Sequence, residues 1–216
     1  MQLLQIQDWV IRFREPENAG PHQVIWLFHG WKGDEHSMEV FSSLIPEDYL
    51  ILAPRGQYPT QIGGFSWYPI RENGWAPIEA FFPAVYELVD LMENWPLAAP
   101  WADFDRFHLA GFSQGAALAY TFTLLYPERV KALAGLAGFL PRNANDYLDN
   151  KDFRDKPVYI FHGTEDQIVP VEMAVAAAQF FNNAGSEVTF CESDVGHKLS
   201  VDCFKGLDSF FRRETK

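Results

Sequence analysis

Six short runs of apolar residues recur along the chain, and each has the length of a β-strand. Because these runs are apolar at consecutive positions rather than at alternate ones, they are typical of strands covered on both faces. The opening segment 3–13 predicts further antiparallel strands at the edge of the same sheet. The six runs occupy residues 23–28, 49–53, 106–111, 130–138, 157–161 and 187–191.

Helical spacing fills the intervals between these runs. Residues 114–126 are apolar nearly all round, which predicts a buried helix that ends before Pro127. Alternating strands and helices predict an α/β fold with a mainly parallel central sheet and helices on both faces. Apolar residues three and four positions apart predict three more helices, within 81–92, 174–181 and 199–210. Two stretches, 55–77 and 141–156, do not fit this alternation and are predicted to be long loops.

The length, net charge and cysteine content of the chain limit its domain number, partners and location. The chain has 216 residues without an internal repeat or an evident linker, so we expect a single domain over 1–216. Its 17 basic and 29 acidic residues give a formal net charge of −12, which disfavours a nucleic-acid partner. Since no apolar run could span a bilayer and the start lacks a signal-peptide pattern, we expect no stable membrane insertion and a cytoplasmic location. The two cysteines, Cys191 and Cys203, are predicted to be buried thiols.

The string Gly111-Phe112-Ser113-Gln114-Gly115 carries the first chemical signal. It follows a predicted strand and opens a predicted helix. A tight strand-to-helix turn exposes the serine hydroxyl at the edge of the sheet, and glycines relieve the crowding of the backbone. The free N–H groups at the start of the helix would face a developing oxyanion. We therefore predict that Ser113 is a nucleophile.

A serine nucleophile needs a histidine as base and an acid that orients the histidine. In α/β-hydrolases the acid follows the serine along the chain, and the histidine follows the acid. Only His162 and His197 follow Ser113. His162 stands at the tip of a strand and is expected to be structural, whereas His197 lies in a glycine-bearing loop after the last strand. Asp166 follows the strand before the last one, so we expect it to orient His197. Glu165 is the nearby competitor for that role, and Asp194 is a weaker one.

Two backbone N–H groups should stabilise the oxyanion. One belongs to Gln114, directly after the nucleophile, and the other should come from the loop after an earlier strand. The segment His29-Gly30-Trp31-Lys32-Gly33 fits that loop, with Trp31 as the expected donor. No nucleotide-binding glycine loop and no zinc-ligand spacing occurs in the sequence, so we expect no cofactor and no metal.

These segments together resemble the phospholipase/carboxylesterase family of α/β-hydrolases, and within it the acyl-protein-thioesterase-like group. The resemblance covers the chain from about residue 20 onward. It implies a triad of Ser113, Asp166 and His197 and oxyanion donors at Trp31 and Gln114, with no metal and no large cap. It is carried by His29-Gly30-x-x-Gly33, by Gly63-Gly64-Phe65-Ser66-Trp67-Tyr68, by the Ser113 string, by Gly163-x-x-Asp166-x-Ile168-Val169-Pro170 and by Gly196-His197.

Two departures from the family pattern concern the substrate side. Lys32 stands where relatives often have a small residue, and Pro69 stands where an Asp is common, so the substrate is not carried over from the family. Aromatic residues on the strand-end loops would suit an acyl or aryl group, although we expect at least half of them to be core. For substrate contact we select Trp67, Phe139 and Ile168.

The sequence therefore predicts a serine esterase for small-to-medium acyl chains, acting through an acyl-enzyme on a small-molecule ester or thioester. Two alternatives stay open. The same residues would serve an acyl thioesterase or lysophospholipase that acts on longer chains. A protein of another class, a non-catalytic α/β-hydrolase scaffold that binds a ligand or partner, is disfavoured because all three expected triad residues are present.

Overall fold

The computed structural model describes residues 1–17, 20–69, 75–95, 99–148, 151 and 153–213. The strands are β1 Gln2–Ile6, β2 Trp9–Arg14, β3 Gln23–Phe28, β4 Tyr49–Pro54, β5 Tyr58–Pro59, β6 Phe65–Ser66, β7 Phe107–Phe112, β8 Val130–Leu136, β9 Val158–Gly163 and β10 Val188–Ser193. Eight of them form one sheet in the spatial order β1-β2-β4-β3-β7-β8-β9-β10. Strand β2 pairs antiparallel with β1 and with β4, and from β4 to β10 every neighbouring pair is parallel. The two short strands β5 and β6 form a separate hairpin.

Helices cover both faces of this sheet, as the sequence predicted. The helices are α1 Phe82–Asn94, α2 Gln114–Leu125, α3 Val171–Asn183 and α4 Val201–Arg213. Apolar side chains of α1, α2 and α3 share one core cluster with one face, and those of α4 and of the 3₁₀ helix Glu39–Leu44 share the other. Helix α2 is buried from Gln114 to Leu124, which explains why its sequence is apolar nearly all round. The described residues include no large cap domain.

Each of the two predicted loops contains a short element of regular structure. The β5–β6 hairpin lies within 55–77, and its turn uses Gly63 and Gly64 at φ values of 92° and 73°, which side chains rarely tolerate. The other predicted loop, 141–156, contains a 3₁₀ turn at Ala144–Tyr147. Because both elements are only a few residues long, hydrophobic periodicity gives no signal for them.

The prediction of two free thiols is wrong, because a disulfide joins Cys191 of β10 to Cys203 of α4. The two Cα atoms are 6.0 Å apart, a separation that a disulfide spans without backbone movement. The apolar pattern around each cysteine indicates burial but not which side chain it faces. The pairing removes one ground for the expected cytoplasmic location, since disulfides persist mainly in oxidising environments. That location stays a prediction.

Reduction of this disulfide should lower the free energy of unfolding. The bridge spans 12 positions along the chain, and closing a loop of about this length contributes roughly 3 kcal/mol. Urea unfolding with and without a thiol reductant measures the difference. A variant with Cys191→Ala and Cys203→Ala is the control and should not respond to the reductant. Equal stability of the oxidised and fully reduced wild-type chains would contradict the prediction.

Candidate active site

Ser113 lies on a sharp turn between β7 and α2. Its backbone has φ 54° and ψ −116°, a conformation that costs on the order of 1–3 kcal/mol for a non-glycine residue. The surrounding structure holds the turn in place. The Ser113 N–H donates to the carbonyl of Leu136, at the end of β8, over 2.8 Å.

The two glycines of this turn are required by close backbone contacts. A Cβ on Gly111 would lie 2.1 Å from the carbonyl oxygen of Gly115. A Cβ on Gly115 would lie 2.1 Å from the carbonyl oxygen of Phe28, at the end of β3. Any side chain at either position would push α2 away from the sheet. The glycines of the motif therefore let the start of α2 approach the strand ends.

His197 and Asp166 form the shortest link between the two loops at the ends of β9 and β10. The His197 Nδ1–H donates to Asp166 Oδ2 over 2.6 Å. The other carboxylate oxygen accepts the backbone N–H groups of Ile168 and Val169 at 2.9 and 3.0 Å. The carboxylate is thus held in one orientation, with Oδ2 bonded to His197 and 3.4 Å from Nε2 of His162.

The electrostatic setting keeps Asp166 ionised. Burial of this carboxyl would raise its pKa, but the hydrogen bond from His197 and the two backbone N–H groups outweigh burial and lower the pKa below its usual value. A permanently charged carboxylate fixes the proton of His197 on Nδ1, which leaves Nε2 free to accept a proton. Glu165, the competing acid, is exposed.

Further bonds tie the His197 loop, residues 194–200, to the Asp166 loop, residues 164–170. The Glu165 N–H donates to the Val195 carbonyl over 3.1 Å, and Thr164 Oγ1 donates to Asp194 Oδ1 over 2.8 Å. The side chain of His162, at the end of β9, is fully buried. Its Nε2 donates to the Val169 carbonyl over 2.7 Å, a structural role of the kind that the sequence predicted.

The side chain of Phe112 brings His197 close to the serine turn. The Phe112 ring, which directly precedes Ser113, contacts the imidazole with ring centroids 4.9 Å apart. Among the described residues, no hydrogen bond joins Ser113 Oγ to His197.

The segment 29–34, which we call the oxyanion loop, lies against the serine turn. A carbon placed on Gly30 would lie 3.3 Å from Ser113 Cβ. Within the described ranges, the N–H groups of Trp31 and Gln114 have no acceptor in the protein. Lys32 beside them takes a left-handed φ of 67°, and its N–H donates to the Phe65 carbonyl over 2.9 Å. The β5–β6 hairpin thereby supports the loop.

His29, the first residue of the oxyanion loop, is hydrogen bonded through both of its ring nitrogens. Its Nε2 accepts the Gly56 N–H over 2.8 Å, so Nδ1 carries the proton and donates to the Gly30 carbonyl over 2.7 Å. Burial is the main cause that lowers the pKa of His29 to about 4. The imidazole is therefore neutral at pH 7, and adding a proton to Nε2 would break the bond to Gly56. The sequence pattern marked this histidine only as the end of a strand.

The prediction that Trp67 contacts the substrate is wrong, because its side chain is fully buried. The Trp67 Nε1–H donates to the His29 carbonyl over 2.7 Å, and the two rings lie 4.8 Å apart. The side chain of Gln114 joins the same network, since its Oε1 accepts the Trp67 N–H over 3.1 Å. Trp67 therefore positions the oxyanion loop instead of lining a cleft. An aromatic residue in a strand-end loop gives no sequence signal that separates these two roles.

Phe139 and Ile168, the other residues selected for substrate contact, differ in exposure. Phe139 is 5% exposed and packs against Trp75 with ring centroids 4.7 Å apart. Ile168 is 66% exposed beside Asp166. Contact of either side chain with substrate stays a prediction.

The described part of the chain offers no group of three or more histidine, cysteine, aspartate or glutamate side chains arranged to hold a metal ion. Its helices are also too short or too polar to cross a membrane. The expectation that the protein needs no cofactor stays a prediction.

Acid should destabilise the protein through His29. The pKa of His29 is about 4 in the folded chain and about 6.5 when unfolded, so the unfolded chain binds more protons between these values. The free energy of unfolding should therefore fall by about 3 kcal/mol as the pH decreases from 7 to below 4, and this share should be absent in His29→Gln. Urea unfolding across this pH range measures the slope.

The matched control is His36→Gln, which removes an exposed histidine a few residues further along the chain. An equal loss of slope in both variants would contradict the assignment to His29.

Comparison with known proteins identifies the family of this chain. The family model described as Phospholipase/Carboxylesterase matches residues 13–214. An esterase of Escherichia coli strain K12, YpfH, is 28% identical over 190 residues, which cover 82% of this chain and 76% of that protein. Acyl-protein thioesterase 1 of Kluyveromyces lactis is 36% identical over 118 residues, half of each chain. The chain also spans half or less of the length of the plant carboxylesterases that it matches.

A solved structure agrees with the fold. The crystal structure of the Bacillus cereus carboxylesterase superposes with a TM-score of 0.82 at 19% identity, over 94% of this chain and 93% of the other. Because the family model extends over nearly the whole sequence, the chain belongs to the phospholipase/carboxylesterase family.

Proposed function

We propose that this protein is a serine hydrolase that cleaves carboxylic esters of small-to-medium acyl chain length. Ser113 is the nucleophile, His197 the general base and acid, and Asp166 the residue that orients His197. The observation that carries the proposal is the 2.6 Å bond from His197 Nδ1 to the buried Asp166 carboxylate, beside a strained serine turn. The similarity to carboxylesterases and to other esterases supports it.

The first half of the reaction forms an acyl-enzyme. Ser113 Oγ attacks the carbonyl carbon of the ester, and its proton passes to Nε2 of His197. The ionised Asp166 stabilises the resulting imidazolium. The electron pair of the carbonyl moves to its oxygen, where the N–H groups of Trp31 and Gln114 stabilise the charge.

The second half releases the acid. When the tetrahedral intermediate collapses, the carbon–oxygen bond to the alcohol breaks and His197 gives its proton to the departing oxygen. A water molecule then attacks the acyl-enzyme, loses a proton to His197 and forms a second tetrahedral intermediate. Its collapse returns the proton to Ser113 Oγ and frees the carboxylic acid.

An acyl thioesterase or lysophospholipase for longer chains is the second candidate, and the similarity to acyl-protein thioesterase 1 favours it. The same three side chains would perform that reaction, so only the substrate separates the two. Matched esters and thioesters with acyl chains from two to sixteen carbons provide the test. Values of kcat/KM that fall as the acyl chain lengthens support the esterase, whereas a steep rise with long thioesters supports the thioesterase.

Ser113→Ala should abolish ester hydrolysis and keep the fold. Alanine occupies the same backbone conformation as serine but lacks the attacking oxygen, so kcat for p-nitrophenyl acetate should fall at least about 10⁴-fold. Thermal unfolding checks that the variant is folded. Hydrolysis at the wild-type rate by the folded variant would refute the assignment of Ser113 and would revive a non-catalytic role for the scaffold.

Asp166→Asn should lower kcat by about 10⁴-fold, because an amide cannot hold His197 in the reactive tautomer. The matched control is Glu165→Gln, which makes the same change at the exposed neighbouring acid. We expect the control to keep activity within about twofold of the wild type, as is usual for surface substitutions. A larger loss in the control than in Asp166→Asn would transfer the orienting role to Glu165.

A further inference from the structure

An apolar cavity of about 320 Å³ opens beside His197, on the side of the sheet that α4 covers. Its volume lies at the small end of the roughly 300–1,000 Å³ that is usual for ligand sites. Nothing in the mechanism above uses this space. We call it the His197-side cavity and define it by Gly30, Val40, Phe41, Phe112, His197 and Phe204.

We propose that the His197-side cavity binds the alcohol part of the ester and selects bulky apolar alcohols, of cyclic, branched or benzylic form. This inference rests on the proposed function and adds to it the class of leaving group.

The direction of proton transfer places the alcohol in this cavity. His197 must deliver its proton to the departing oxygen, so the alcohol has to lie against the imidazole when the carbon–oxygen bond breaks. The carbonyl oxygen would be held by the N–H groups of Trp31 and Gln114, and neither residue lines this cavity. The His197-side cavity meets this requirement because His197 itself is part of its wall.

The cavity also lies next to the serine turn. Gly30 and Phe112 belong to its wall, although Ser113 itself does not. Gly30 packs closely on that turn, since a carbon placed on it would be 3.3 Å from Ser113 Cβ and 3.2 Å from Phe112 Cδ1. The wall therefore begins directly beside the residue that would carry the acyl group.

The chemistry of the walls selects an apolar group. The rings of Phe41 and Phe204 stack with centroids 5.9 Å apart and an interplanar angle of 11°. Val40 at the rim is 60% exposed, so its apolar surface is available to a ligand. Besides His197, two polar residues belong to the wall: the Ser37 hydroxyl is already hydrogen bonded to Asp34 over 3.0 Å, and Lys198 is exposed to solvent. Filling such a site with methylene groups increases binding, whereas a polar alcohol would lose its hydration there.

The test keeps the acyl group constant and changes only the alcohol. The value of kcat/KM is measured for ethyl, cyclohexyl and benzyl acetate with the wild type and with Val40→Asp. Each variant is compared with the wild type on the same ester. The intrinsic reactivity of each ester then cancels. A carboxylate at the rim should lower kcat/KM for cyclohexyl and benzyl acetate at least about tenfold and change ethyl acetate by less than about twofold.

The matched control is Val201→Asp, which makes the same substitution at a 73% exposed valine of α4 outside the cavity wall. It should leave all three acetates unchanged. A second variant, Val40→Trp, fills the cavity without adding charge and should reproduce the selective loss. Thermal unfolding of each variant confirms that it is folded.

Two results would overturn the proposal. Equal effects of Val40→Asp on all three acetates would show that the cavity does not bind the alcohol. A second series keeps ethanol as the alcohol and changes the acyl group, with ethyl benzoate and ethyl hexanoate as substrates. If Val40→Asp lowers kcat/KM for these two esters and leaves benzyl acetate unaffected, the cavity binds the acyl group instead. Neither result is the same as a failure of the proposed function. If the protein is not a serine esterase, the wild type will hydrolyse none of these esters faster than Ser113→Ala.

Discussion

The hydrogen bond between His197 Nδ1 and Asp166 Oδ2 is the interaction on which the rest of the site depends. It joins two loops that leave neighbouring parallel strands at the same edge of the sheet. The Cys191–Cys203 disulfide closes the segment of chain that carries His197, and it also fixes the start of α4. The position of the imidazole is thus set from both sides, by an ionised carboxylate and by a covalent link.

A second constraint is the close approach of α2 to the end of β3. Gly115 lies against the backbone of Phe28, and this contact brings the free N–H groups of the helix start next to the oxyanion loop. Burial of α2 on all sides contributes the stability that holds Ser113 in a strained conformation. The buried side chains of His29 and Trp67 pack and hydrogen bond beneath the loop, so a buried polar network supports the loop that carries the Trp31 N–H.

The strands, the helices and the position of Ser113 on its turn could be predicted from sequence because each leaves a local pattern: a run of apolar residues, a helical spacing, or two glycines around a serine. The role of Trp67 could not be predicted, since an aromatic side chain in a loop looks the same whether it faces solvent or packs beneath His29. The pairing of Cys191 with Cys203 likewise depends on how α4 returns to β10, which is a tertiary feature.

Covalent labelling with a fluorophosphonate probe tests the central claim most directly, because the probe reacts only with a serine that a nearby base activates. Mass spectrometry of the digested protein should find one adduct, on the peptide that contains Ser113, and prior heat denaturation should prevent its formation. An intact protein that stays unlabelled, or an adduct on another serine such as Ser66, would contradict the assignment of Ser113 and His197 as nucleophile and base.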